Sequence, residues 1–551
     1  MGAASIAVVA FAMEVCAATT VEPLGHFFRD INSSDSVQSL HRQSQWMGGS
    51  QLVHYRLLPG RFPKGMGYHF DGLATVMALR FDSGRLRATV RPFHSELYDA
   101  YDSCIFFGSG TGPTDGKIPC LTNPLVNLLP IQGQLWLTID TVMWGRIDPT
   151  TLGTVRGAGV RSLHGGVLPP TLTLNAHPAC DRVTGQCFVE HPCPIAVDDD
   201  PVSNEACISE LLPDSGGVNL HLANLTRATL PAQRLIQHSH SPCITPNFVV
   251  AKLDSFAPRL DSDKNDAGLL RLLHQKQDDL WMVMDRRTNR SEVVQGSHLS
   301  FVNNHFWNCY EDDVSGSGTV IVVETVAATS AYLDTYFRDR LGQPSVSWDK
   351  IFLPPQRCLI HVGGDSHVTN VTCTPLLGDR SVLFDYPTFN PVFHNDSQQR
   401  RLSRTRAFFP YVSCCSTVCT HRCVCMQLVK MDSKRYRHFF AISPNDRSSR
   451  WFDRLIKVDR TEGSVVATFS APDIFLTEAD FIPRKPVLTQ GQGDDDGWLI
   501  TVGFNASSDE SSVWMLDAKT LGVVDKYDLG CVVPFHAHGV SCLFGECFTN
   551  P

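Results

Sequence analysis

Met77-Ala-Leu-Arg-Phe-Asp82-Ser-Gly-Arg-Leu sets a pattern that the chain repeats: an apolar run, an aspartate, a few turn residues, then a second apolar or alternating run. The pattern returns as Met143-Trp-Gly-Arg-Ile-Asp148-Pro-Thr-Thr-Leu and as Trp281-Met-Val-Met-Asp285-Arg-Arg-Thr. It returns again as Leu455-Ile-Lys-Val-Asp459-Arg-Thr-Glu-Gly and Val513-Trp-Met-Leu-Asp517-Ala-Lys-Thr-Leu. Turn chemistry gives the reason. An Asp that opens a tight turn accepts hydrogen bonds from backbone NH groups ahead of it, and Pro or Gly sets the bend. Each stretch therefore predicts a β-hairpin.

The five aspartates are spaced by 66, 137, 174 and 58 residues. A radial array of four- or five-stranded blades repeats about every 60–70 residues, so seven blades need roughly 480. The spacing predicts an all-β fold, a seven-bladed β-propeller, with a helical and loop cap over one face. Unrelated hairpins in two β domains are the alternative on this pattern alone. Thr325–Arg340 reads as a short helix ending before Gly342, the kind of insertion that builds such a cap. No Gly/Ser linker divides the chain, so residues 19–551 read as a single propeller domain.

Of 551 residues, 43% are hydrophobic and 19% charged, enough to bury a large core and to exclude a disordered chain. Lys and Arg number 47 against 56 Asp and Glu, with no block of five like charges, so a nucleic-acid footprint is absent. Residues 3–13 are apolar and precede Cys16-Ala17-Ala18. That run is too short to span a bilayer, which takes about 20 residues. Its length suits a signal-peptide core, although a positively charged start is missing. Residues 1–18 thus read as a signal-like leader, or else as a buried or membrane-touching segment.

Cysteines number 19, and sequons occur at Asn32, Asn224, Asn289, Asn370, Asn395 and Asn505. Both features lean toward an oxidising compartment, in the secretory pathway or an organelle. Free buried cysteines are the alternative. The cluster Cys414, Cys415, Cys419, His421, Cys423 and Cys425 matches no common zinc module and fits a disulfide-laced loop better.

Among 21 histidines, four sit in unusual settings. They are His177 in Asn175-Ala-His177-Pro, His240 in His240-Ser-Pro-Cys-Ile-Thr245-Pro-Asn-Phe, His305 in His305-Phe-Trp-Asn308-Cys-Tyr-Glu311, and His538 in Ala537-His538-Gly539. The gaps are 63, 65 and 233 residues, none of them a local metal spacing. Gaps of 63 and 65 are each about one blade, so a propeller would aim these side chains at one axis. Four neutral imidazoles there would bind a divalent first-row metal. Spacing by itself favours four independent histidines.

The settings resemble those of the carotenoid cleavage oxygenases, a family that includes the retinoid isomerohydrolase and stilbene-cleaving enzymes. Asn175-Ala-His177-Pro followed by Asp181-Arg-Val-Thr-Gly185 is similar to the family's Ala-His-Pro…Asp-Pro-x-Thr-Gly-Glu. The His240 segment resembles His-Asp/Ser-Phe-Ala-Ile/Leu-Thr-x-Asn-Tyr, and the His305 segment resembles His-Leu-Trp-Asn-Ala-Trp-Glu. Ala537-His538-Gly539 resembles Phe-His-Gly, and Tyr68-His-Phe-Asp71-Gly72 resembles Trp-Phe-Asp-Gly-Asp. Order and spacing agree over nearly the whole chain.

The resemblance implies a seven-bladed propeller whose His177, His240, His305 and His538 hold Fe(II) on the axis. It also implies three carboxylates that orient those rings, at positions occupied here by Asp140, Asp385 and Glu478. Two are Asp where the family has Glu, one methylene shorter, so each needs a closer strand or a bridging water to reach its imidazole. An Arg-Asn-Gly-Pro stretch near the N-terminus is missing, and Pro242 replaces the usual Phe. The implied activity is dioxygenase cleavage of a carbon–carbon double bond in a carotenoid or apocarotenoid, giving aldehyde or ketone products. O2 and an apolar polyene are the implied partners, with peripheral membrane contact. Stilbene-like cleavage and retinoid isomerisation would use the same site. The Asp replacements and extra cysteines suggest a third reading, a non-catalytic propeller that binds a lipid or protein.

Overall fold

In the computed structural model the described residues run from Gln38–Leu40 and Leu52 onward to Glu546–Thr549. Residues 1–37, 41–51, 99–122, 390–435 and several shorter stretches lie outside them. The leader and the cysteine cluster at 414–425 both fall there.

Seven sheets follow one another along the chain, antiparallel apart from Val160–Ser162, which pairs parallel with Leu220–Thr229. Blade 1 is built from both ends of the chain: Leu52–Arg61, Leu73–Asp82 and Arg85–Pro92 pair in order, and Leu52–Arg61 also pairs with Gly539–Leu543. Blade 2 holds Asn127–Ile131, Gln134–Ile139 and Thr141–Ile147, and blade 3 runs from Ala179–Cys180 through Cys187–Cys193 and Glu205–Pro213 to Leu220–Thr229. Blade 4 centres on Phe248–Pro258 and Leu280–Asp285, flanked by Cys243–Ile244 and Arg290–Gln295. Blade 5 holds Val302–Val314, Gly318–Ala328, Gln356–Val362 and Val368–Pro375. Blade 6 holds Asp385–Thr388, His438–Ser443, Arg454–Asp459 and Ser464–Ser470. Blade 7 holds Asp480–Pro483, Gly497–Asn505, Glu510–Asp517 and Val523–Asp528.

Four of the five predicted hairpins form as paired strands, and at Asp148 the chain turns back through a single bridge, Ile147 to Thr154. Asp148, Asp285, Asp459 and Asp517 each accept backbone NH groups two or three residues ahead, at Thr150 and Thr151, Arg287, Thr461 and Glu462, and Lys519 and Thr520. Asp82 ends the strand whose hairpin partner begins at Arg85. Two further aspartates complete the series, one for each remaining blade. Asp214 accepts from Val218 NH, and Asp365 accepts from His367 NH. Their stretches end Leu-Leu-Pro-Asp214 and Val-Gly-Gly-Asp365, so Pro or Gly interrupts the apolar run and hides the pattern.

Several of the middle strands are buried on both faces. Leu280–Asp285 is buried throughout, as are Phe439–Ser443 and Leu455–Asp459. Trp281, Phe306 and Ile321 pack between blades 4 and 5, and Phe440, Ile456 and Phe481 pack between blades 6 and 7. The reading of Thr325–Arg340 as a helix is corrected in its first turn. Thr325 to Ala328 finish a strand, because Val326, Ala327 and Ala328 continue the apolar run of Gly318–Ala328 and pair with His305, Asn303 and Val302. Beyond the strand, Thr329 and Tyr332 are described, with Tyr332 NH bonded to Thr329 O. Of the expected helical cap, the described residues include Trp348–Ile351, with Trp348 and Ile351 buried.

Five disulfides join neighbouring strands among the described residues: Cys180–Cys187, Cys193–Cys207, Cys243–Cys309, Cys358–Cys373 and Cys542–Cys547. Side-chain bonds tie blades 4 and 5 as well. The Glu311 carboxylate accepts Thr245 Oγ1 and Asn247 NH at 2.7 Å each and Asn247 Nδ2 at 2.5 Å. These contacts lock the turn at Thr245 and Asn247 onto the strand that carries Glu311. Glu311→Ala should remove three hydrogen bonds and lower unfolding free energy by about 2–4 kcal/mol, read by denaturant unfolding.

Candidate metal centre

A polar residue from every blade reaches the axis at or beside the innermost strand. Going round the ring from blade 1 these are His538, Asn127, His177, His240, His305, Asp385 and Glu478. The strand spacing of the blades explains how residues 63, 65 and 233 positions apart meet. His177 has ring-centroid distances of 4.8 Å to His240, 5.1 Å to His305 and 4.3 Å to His538. His305 lies 5.4 Å from His240 and 4.9 Å from His538.

Three of the rings, His177, His305 and His538, each offer a nitrogen within 4.8 Å of the others, which could hold a metal ion. His240 stands outside that set, with its side chain 21% exposed against 5% for His305 and 8% for His538. Two observations fit a cation at the centre. His177 Nε2 is buried with no hydrogen-bond partner. His305 Nε2 lies 3.2 Å from His538 Nε2, and two imidazole nitrogens that close need a shared proton or a shared cation. Burial first, and the neighbouring imidazoles second, hold His177 and His538 well below the ordinary histidine range. Both rings are therefore neutral and free to ligate at physiological pH.

The outward nitrogens are all engaged. His240 Nδ1 meets Asp140 Oδ1 at 3.0 Å, His305 Nδ1 meets Asp385 Oδ1 at 2.8 Å, and His538 Nδ1 meets Glu478 Oε1 at 3.4 Å. The shorter Asp140 and Asp385 thus reach directly, with no water between. Asp140 can do so because it sits in the turn between two strands of blade 2 and also accepts Ala176 NH at 3.2 Å, which draws the His177 loop onto it. Asp385 further accepts Tyr386 NH at 2.8 Å and Tyr332 OH at 3.1 Å. Such partners fix the ring and raise its basicity.

Two residues at this centre carry no motif that reveals them. Asn127 Nδ2 is 3.1 Å from His177 Nδ1, filling the place a carboxylate takes beside the other rings. Arg56 is fully buried and grips the His538 side of the site. Its Nη1 donates to Glu478 Oε2 at 3.2 Å and to Ala537 O at 2.9 Å, and its Nη2 donates to Glu478 O at 2.6 Å.

Arg56 Nη2 also lies 3.1 Å from Asp480 Oδ2. Burial pushes the Asp480 carboxyl up to about 7, with Arg56 opposing and Glu478 assisting. A carboxyl whose folded pKa is raised stabilises the fold while protonated, and that contribution is lost as pH climbs from the ordinary carboxylate value to the folded one. Asp480→Asn should therefore flatten the fall in unfolding free energy between about pH 4 and pH 7. Arg56→Met should cost about 3–5 kcal/mol in chemical denaturation, because it strands Glu478 as an unpaired buried charge.

Against known proteins, residues 46–540 match the family model described as retinal pigment epithelial membrane protein. No curated protein sequence matches. Among solved structures, a Trp-to-Ala variant of the Synechocystis apocarotenoid oxygenase superposes with a TM-score of 0.65 at 18% identity, covering 94% of this chain and 98% of that one. The cobalt-substituted Synechocystis enzyme gives 0.65 at 17% identity over the same shares, 94% and 98%. A chimera of that oxygenase with RPE65 gives 0.63 at 18%, again covering 94% and 98%. With the family model spanning most of its length, the chain belongs to the retinal pigment epithelial membrane protein family, that of the carotenoid cleavage oxygenases.

Proposed function

We propose that this chain is an Fe(II)-dependent non-haem dioxygenase that cleaves a carbon–carbon double bond of a carotenoid or apocarotenoid to aldehyde or ketone products. The observation that carries the reading is the meeting of His177, His240, His305 and His538 on the propeller axis, with Asp140, Asp385 and Glu478 behind three of them. Such a donor set would hold a divalent first-row ion. Ferrous iron there would supply the electron that O2 activation requires.

The chain's own residues do the rest. The carboxylates hold each ring at a fixed angle, so the donor set is preorganised before any ligand arrives. Tyr386 lies 5.4 Å from the rings of both His305 and His538, and its backbone is held at φ +52°, an uncommon conformation for a bulky residue. Phe535 follows at 6.1 Å from Tyr386, and Trp451 at 4.9 Å from Phe535. This buried aromatic wall excludes water beside the histidines and offers flat apolar surface to a polyene, which is catalysis by positioning. The Asp-for-Glu replacements no longer speak for a non-catalytic propeller, since both reach their imidazoles.

Purified protein should contain about one iron per chain, and Asp140→Ala should weaken metal binding about 10–100-fold. Incubation with a carotenoid and apocarotenoid panel in detergent under 18O2 should give labelled aldehydes or ketones, lost in His305→Ala. An unlabelled geometric isomer as the sole product would mean retinoid-type isomerisation at the same site. Iron-free protein with no product from any substrate would overturn the reading.

A further inference from the structure

The two segments that carry His240 and His305 are joined by the Cys243–Cys309 disulfide. Cys243 stands three residues after His240, and Cys309 four after His305. The family patterns given above have Ala at both places; this chain has Cys at both. The bridge is buried, at 7% and 6% exposure, in the core formed by Phe248, Trp281 and Phe306. It is the middle of three links between these segments. On one side Phe306 NH donates to Ser241 Oγ at 3.4 Å, and on the other Glu311 holds Thr245 and Asn247.

His240 is the ring most in need of such support. It lies outside the compact nitrogen triad, and it is the most exposed of the carboxylate-paired rings. Its partner Asp140 is itself 34% exposed, whereas Asp385 and Glu478 are 0% and 1% exposed. The segment also carries Pro242, which lacks a backbone NH to bond to a neighbour.

We propose that Cys243 and Cys309 are positioning residues: their disulfide staples the His240 segment to the His305 strand and so completes the four-histidine set. This rests on the reading that the four rings hold a metal. With the bridge closed, the backbone of His240 is fixed relative to His305, and its ring is held at the centre despite a partly exposed carboxylate. With the bridge open, the three remaining nitrogens still bind, but more loosely and with one position lost.

The test compares the full-length parent, Cys243→Ala/Cys309→Ala, and a control lacking the outer-strand bridge of the same blade, Cys358→Ala/Cys373→Ala. Each is loaded with cobalt(II), and three quantities are read: the d–d absorption spectrum, the rate of cobalt loss to a chelator, and the unfolding midpoint. The staple predicts a changed spectrum and cobalt loss at least about 10-fold faster in Cys243→Ala/Cys309→Ala than in the control. Equal spectra and equal rates in the two variants, with cobalt bound, would overturn it. Failure of the parent to bind cobalt would instead sink the metal reading on which it rests.

A second arm guards against a variant that does not fold. The cobalt-loaded parent is treated with a water-soluble phosphine, and alkylation mapping follows which cysteines open. Cobalt release in step with alkylation of Cys243 and Cys309 supports the staple. Release in step with other pairs, or a map showing these two cysteines never joined, overturns it.

Discussion

The antiparallel pairing of Leu52–Arg61 with Gly539–Leu543 closes the ring, and the centre of the molecule depends on it. Without that pairing both strands would be open edges, a configuration folded proteins avoid. His538 would also lie far from His305, 233 residues before it in sequence. The register places Arg56 directly opposite Gly539. A side chain at 539 would bring its Cβ within 2.6 Å of Arg56 Cδ and 2.5 Å of Tyr55 O, so glycine is what lets the guanidinium pass. Ring closure and ligand orientation are therefore one event: the strand pair that completes the propeller also sets Arg56 against Glu478, and Glu478 against His538.

Charge is distributed around the axis by the same logic. His177, His305 and His538 are buried and His240 is partly exposed, and each ring is backed by a polar group that itself has a further contact. Asp140 takes Ala176 NH, Asp385 takes Tyr386 NH, and Glu478 takes Arg56. A carboxylate held at two points cannot swing away when its ring loses a proton or gains a ligand. A second buried network stands away from the axis. Glu324 accepts Arg357, Arg460, Asn308 and Tyr436 and links blades 5 and 6. Arg357 and Arg460 keep its carboxyl below the ordinary range despite complete burial. That network is structural, since it touches none of the axial rings.

The cysteines divide this chain from the plain family pattern. Five cross-strand bridges reinforce blades 1, 3, 4 and 5, whose hydrogen-bonded ladders would already define them. Four of the bridges close loops of 15 residues or fewer inside a sheet, while Cys243–Cys309 spans 66 residues and crosses from one blade to the next. Long-range closure is where a covalent link restrains the chain most.

Local chemistry alone marked the hairpins, because an aspartate at a turn needs only its nearest backbone neighbours. The four histidines were joined into one set by the family resemblance of their stretches, not by local chemistry or spacing. Local chemistry passed over Asp214 and Asp365, where Pro213 and the Gly363-Gly364 pair broke the apolar run. It misread the start of Thr325–Arg340, because whether an apolar segment rich in Ala and Val becomes strand or helix depends on the strand waiting beside it, here Val302–Val314. Asn127 and Arg56 were beyond it altogether. Neither has a local pattern, and each acquires its role only when strands from distant parts of the chain bring it against His177 or Glu478. The adequacy of Asp140 and Asp385 was likewise a tertiary matter: a missing methylene is made good by where the backbone runs, and backbone placement is set by the packing of whole blades.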